Sequence, residues 1–153
     1  MKKFYIFLIL IILQASYTLH SQWIQQTLPL SGLVDHMQFI NHNIGWIVLI
    51  SPINFIKTTD GGNNWTILSS GSNQVGKFQF FNDTLGYTIG IQGTTSIFSK
   101  TTDGGFNWTI LYSSGVSFLD MYFVNKDTGW VVSGPVSNKN RILKTAEISK
   151  INF

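Results

Sequence analysis

Lys57-Thr58-Thr59-Asp60-Gly61-Gly62-Asn63-Asn64-Trp65-Thr66-Ile67-Leu68 returns 43 residues later as Lys100-Thr101-Thr102-Asp103-Gly104-Gly105-Phe106-Asn107-Trp108-Thr109-Ile110-Leu111. A second marker runs through the chain on the same period: Phe39 with Gly45-Trp46, Phe80 with Gly86-Tyr87, and Phe123 with Gly129-Trp130. Two independent markers on one period define an internal repeat, and a period of 40–50 residues points to propeller blades. Within each unit Phe, Ile, Val, Trp and Thr gather in short runs, while Gly, Asn, Asp and Ser fill the gaps between them. In the first unit the runs are Met37–Ile40, Gly45–Ile50, Phe55–Thr58 and Trp65–Leu68. Four strands per repeat, with no helical apolar period after the first twenty residues, predict an all-β fold of four-stranded antiparallel blades.

The turn chemistry explains the shared residues. Asp60 and Asp103 can accept backbone N–H groups two or three residues on and close an Asx-type turn. The glycine pairs Gly61-Gly62 and Gly104-Gly105 can take positive φ without a Cβ clash. Trp65 and Trp108 open the next strand and can seal the space between blades. Thr59, Asp60, Gly61, Gly62 and Trp65, with Thr102, Asp103, Gly104, Gly105 and Trp108, are therefore read as a structural turn and not as a catalytic site.

The pattern Lys-Thr-Thr-Asp-Gly-Gly-x-x-Trp-Thr, with Phe-x-x-x-x-x-Gly-Trp upstream, resembles the Asp-box (BNR, sialidase-type) repeat. It is similar to the photosystem II stability/assembly factor family and to sortilin-like propellers over nearly all of residues 23–145. That resemblance implies a non-catalytic scaffold whose loops bind a protein or a glycan. A sialidase would also need an arginine triad, and the chain has one arginine, Arg141.

The N-terminus reads differently. Lys2 and Lys3 precede the apolar run Phe4–Leu13, and a more polar stretch follows to Ser21. This is the three-part form of a secretory signal peptide. The run is too short for the roughly 20 residues a membrane-spanning helix needs. Residues 1–21 are thus expected to be a signal peptide of bacterial type, cleaved after Ser21, with the product secreted, at the cell surface or in the periplasm. Of the ten basic residues two are Lys2 and Lys3, so the remainder carries eight basic against seven acidic residues, and the formal charge drops from +3 to +1. No basic cluster is left to bind nucleic acid. With no cysteine, a thiol nucleophile, a disulfide framework and a lipobox anchor are excluded.

The domain layout expected is a partial propeller over residues 22–153. It holds a fourth-strand piece at 23–28, a blade at 37–69, a second at 78–112 and an incomplete one at 119–145. After Thr145 the chain reads Ala146-Glu147-Ile148-Ser149-Lys150 where the Thr-Asp-Gly-Gly turn should stand. Three blades fall short of the 4–8 of closed propellers. A truncated fragment is one reading, self-association through open blade edges is another, and a compact open arc is the third.

The remaining candidates weigh toward structure. Asp35 and Asp120 are expected just before the first strand of a blade, where they could face a central channel. They, with Asp83, Asp127 and Glu147, are the carboxylates available to a glycoside hydrolase, which needs two of them about 5–9 Å apart. Asp83 and Asp127 occupy equivalent turns. His36 and His42 lack further metal ligands at suitable spacing. Asn64, Asn82 and Asn107 fit N-x-[ST], which matters only in a glycosylating host. The expectation is an exported, non-catalytic binding module with neither cofactor nor metal, the alternative being a piece of a glycan-active propeller enzyme.

Overall fold

A computed structural model describes residues 23–50, 53–68, 74–136 and 139–146. The expected signal peptide lies outside them. The described residues form eleven strands and no helix: β1 (Leu33–Phe39), β2 (Gly45–Ile50), β3 (Asn54–Thr58), β4 (Thr66–Leu68), β5 (Gln74–Phe80), β6 (Gly86–Gln92), β7 (Thr95–Thr101), β8 (Thr109–Ser114), β9 (Phe118–Asn125), β10 (Thr128–Val136) and β11 (Lys139–Ala146). They make three antiparallel sheets, β1-β2-β3-β4, β5-β6-β7-β8 and β9-β10-β11. The first strands lie side by side, β1 against β5 and β5 against β9. The described residues form a propeller-type arc of two four-stranded blades and one with three strands.

The Phe…Gly-Trp marker has a steric cause. Phe39, Phe80 and Phe123 pair across the first hairpin with Gly45, Gly86 and Gly129. Each ring lies on the glycine, and a Cβ at Gly45, Gly86 or Gly129 would sit 2.6, 2.7 or 2.2 Å from it. The ring fills the space a side chain would take, so only glycine fits opposite.

The core lies between the blades. Trp46 of the first blade stacks on Phe80 of the second at 3.7 Å, and Tyr87 of the second stacks on Phe123 of the third at 5.0 Å. Phe55, Phe78, Phe98, Met121 and Val131 belong to the same buried cluster. Polar clamps repeat on the same period. Gln38 spans the backbone of Phe80, donating from Nε2 to its carbonyl (3.0 Å) and accepting its N–H (2.7 Å). Gln79 does the same to Phe123, with both bonds at 2.8 Å. At the equivalent place in the third blade stands Tyr122, exposed.

Two expectations are corrected. Residues Trp23–Leu28 form no strand. They run beside the first blade, where Gln26 donates to the Gly61 carbonyl (2.9 Å) and Leu28 and Leu30 cover Ile47, Leu49 and Ile56. An arc of three blades leaves the edge of β11 two blades away, so an apolar face near at hand takes the segment instead. Asp35 and Asp120 are not ahead of their strands but inside β1 and β9.

Candidate functional site

Each Thr-Asp-Gly-Gly turn is closed by its own side chains. The Thr58 hydroxyl donates to Asp60 Oδ1 (2.9 Å) and accepts the Gly62 N–H (2.9 Å). Asp60 then accepts the Asn64 N–H at Oδ1 (2.8 Å) and the Asn64 amide at Oδ2 (2.7 Å). The second turn repeats this: Thr101 to Asp103 (2.8 Å), Gly105 to Thr101 (3.0 Å), and two bonds from Asn107 to Asp103 (2.9 and 2.8 Å). Gly61, Gly62, Gly104 and Gly105 all have φ between 74° and 98°, which an L side chain takes only with strain.

Sequence reasoning chose the wrong threonine of each pair. Thr59 and Thr102 are exposed, while Thr58 and Thr101 are buried at 1 % exposure. The threonine ending the third strand points inward beside the Asp, and adjacency in sequence does not tell the two apart.

These turns hold their carboxylates ionised. The Asn64 N–H, then its side-chain amide and Thr58, hold the Asp60 carboxyl below the usual carboxylate range. Burial pushes Asp103 up, but the bonds from Asn107 and Thr101 together outweigh it and bring it down. A carboxylate kept charged and saturated with donors is a poor proton donor.

Several of the other candidates also have partners. Asp35 pairs with Lys77 of the next blade at 3.2 Å, and Asp120 accepts the N–H of its neighbour Met121 (2.9 Å). Asp35 thus meets a lysine of the next blade. Asp127 pairs with Lys126 (2.7 Å); at Asp83 it is the backbone carbonyl, not the carboxylate, that accepts Lys57 (2.9 Å), and Glu147 lies outside the described residues. The residues that close the first hairpin of each blade are Asn41, Asn82 and Asn125, whose Oδ1 atoms each accept two backbone N–H groups. His36 bonds the Phe78 carbonyl (3.0 Å) and meets its ring edge-on; His42 is an exposed turn residue.

Further side chains pin blade to blade. The Trp46 indole donates to the Gly104 carbonyl (2.8 Å). Tyr87 donates to the Lys126 carbonyl (2.8 Å), and burial, reinforced by the Asp127 charge, pushes its phenol up to about 12. Lys57 Nζ lies 5.0 Å from the Trp46 ring, and burial pulls its pKa down against the pull of Asp83 and Asp103.

What remains open is apolar. A groove of about 230 Å³ lies between the second and third blades, lined by Phe98, Tyr112, Phe118, Val131, Leu143 and Thr145, with Lys144 at its rim. It runs along β11, which among the described residues pairs with β10 alone. Thr145 stands where Thr58 and Thr101 stand, opposite Gly129 as they are opposite Gly45 and Gly86. Its Oγ1 is buried with no hydrogen-bond partner among the described residues. An open strand edge beside an apolar groove can take an extended peptide by strand addition.

A family model described as photosynthesis system II assembly factor YCF48 matches residues 15–115. Among solved structures, a YCF48 bound to a D1 peptide superposes with a TM-score of 0.62 at 22% identity, over 83% of this chain and 41% of that one. YCF48 from Cyanidioschyzon merolae superposes with a TM-score of 0.60 at 16% identity, over 84% of this chain and 42% of the other. The chain thus spans about two-fifths of the length of either structure, and at these identities the likeness is one of fold. No curated protein matches the sequence.

Proposed function

Since the chain belongs to the photosynthesis system II assembly factor YCF48 family, we propose that it is an exported, non-catalytic module that binds extended segments of partner proteins. The observation that carries this reading is the groove beside β11: Phe98, Tyr112, Phe118 and Val131 offer an apolar floor, and the strand edge offers backbone N–H and C=O groups. Main-chain bonds along such an edge supply affinity, and the pocket selects the side chain that enters it. One member of the same fold is known bound to a peptide. Of the carboxylates that a hydrolase would use, Asp35 and Asp127 are tied into ion pairs. Export rests on residues 1–21.

The test is a panel of synthetic apolar peptides and a panel of glycans offered to the immobilised chain. Peptides with an aromatic or large aliphatic residue should be retained. Leu143→Lys, at a half-exposed position of the groove, should weaken them at least tenfold with the far-ultraviolet circular dichroism unchanged. Retention that ignores this substitution, or retention of glycans alone, would overturn the reading. The N-terminal sequence of protein recovered outside the cytoplasm should begin near Gln22; an intact Met1 there would refute cleavage.

A further inference from the structure

We propose that the groove and the edge of β11, which among the described residues pairs with β10 alone, receive the segment Trp23–Leu28 of a second copy of this chain as a fourth strand beside the three described in the third blade. This rests on the reading of the groove as a peptide site, and it names the peptide.

The first argument is an aromatic niche with no tryptophan in it. Trp108 lies about 6 Å from the rings of Phe55 and Phe80, between the first and second blades. One blade on, Phe98 and Phe123 stand in the places of Phe55 and Phe80, with centroids 5.9 Å apart against 6.3 Å. There the niche opens into the groove of about 230 Å³. A cavity of ~150 Å³ already admits a benzene ring, so an indole fits. The groove therefore continues the interface that already joins the second and third blades.

The second argument identifies the occupant. Of the five tryptophans, Trp46, Trp65, Trp108 and Trp130 belong to blades, whereas Trp23 is fully exposed, followed by an exposed Ile24. From Trp65 to the start of β5 is nine residues, from Trp108 to β9 is ten, and from Trp23 to β1 is ten. Trp23 has the spacing of a fourth strand that feeds the next blade. In its own chain the segment is held on the first blade through Gln26 and Leu28, two blades from β11; a second copy can bring it there once those contacts are released.

The third argument is what the exchange would bury. Met37 and Phe39 on the first blade, and Tyr122, Val124 and Ile142 on the third, are exposed apolar side chains at opposite ends of the arc. Strand exchange in both directions brings these ends together twice around a two-fold axis.

The repeat also sets the register. Lys57 faces Thr66, and Lys100 faces Thr109, in each case the residue after the tryptophan. Lys144 should therefore face Ile24 of the other copy. Because the chain has no cysteine, the full chain carrying Ile24→Cys and Lys144→Cys reports this directly. Mild oxidation should give a covalent dimer on a non-reducing gel, while Ile24→Cys with Arg141→Cys, three residues out of register, should give at least tenfold less. Without cysteines, light scattering after size exclusion should show twice the chain mass, and Trp23→Ala should raise the dissociation constant at least tenfold. Trp23 is exposed in the single chain, so this variant should keep its circular dichroism. A chain monomeric up to millimolar concentration, or a dimer indifferent to Trp23→Ala and to register, would overturn the exchange. If such monomers still bind aromatic peptides through Leu143, the exchange fails and the peptide-site reading stands. If they bind none, both fail.

Discussion

Replacing Thr101 with Val tests whether the Thr-Asp-Gly-Gly turn is held by a single buried hydroxyl. The two side chains have nearly the same shape, so the substitution changes hydrogen bonding and little else. In the folded chain the Thr101 hydroxyl accepts the Gly105 N–H at 3.0 Å and donates to Asp103 at 2.8 Å. Valine leaves the Gly105 N–H without an acceptor in a buried turn, which costs about 1–3 kcal/mol. Asp103 loses one donor but keeps both bonds from Asn107, so the total should be about 2–3 kcal/mol. For a chain of this size, about 4 °C per kcal/mol places the fall in melting temperature at roughly 8–12 °C. Urea and thermal unfolding followed by far-ultraviolet circular dichroism measure it. The control is Thr102→Val, one residue on and exposed, which should stay within about 0.5 kcal/mol. Equal losses at the two positions, or no loss at Thr101, would refute the reasoning.

Other outcomes follow from the same geometry. Gln79→Ala strips both partners from the Phe123 backbone and should cost about 2 kcal/mol in urea unfolding; Gln38→Ala should match it. Trp46→Phe keeps the stack on Phe80 but loses the bond to the Gly104 carbonyl, so about 1–2 kcal/mol is expected, against about 3–5 for Trp46→Ala. The carboxyls of Asp60 and Asp103 are held low, so their contribution is complete above the unfolded value near pH ~3.9. It is lost as the pH falls through the still lower folded values, and a pH series of melting temperatures should flatten there in an Asp60→Asn, Asp103→Asn variant. Tyr87 is shifted the other way, to about 12. Its contribution is complete below the unfolded value near pH ~10 and lost as the pH rises from there through about 12, which alkaline titration with and without Tyr87→Phe should separate.

Much of the fold was legible because a repeat prints its geometry at a fixed interval. Phe39, Phe80 and Phe123 with their facing glycines located the first hairpin of every blade, and Asp60 and Asp103 located the last hairpin of the first two. These are local features, set by turn geometry and cross-strand pairs a few residues apart. The partners of Gln38, Gln79 and Trp46 lie 42 to 58 residues away, and no short-range pattern reveals them. The same limit hid the difference between Thr58 and Thr59, which depends on which side chain faces the interior of a turn.

What the sequence by itself determined is the blade: its period, its four strands and the turn that joins the last two. Only the tertiary structure decided how the blades meet and what they leave unfilled. Trp23 carries the spacing of a fourth strand, yet it makes none, because pairing needs an edge within reach and β11 lies two blades away. The hydroxyl of Thr145, buried without a hydrogen-bond partner among the described residues, and the groove beside it appear only when Phe98 and Val131, from different blades, face each other across space.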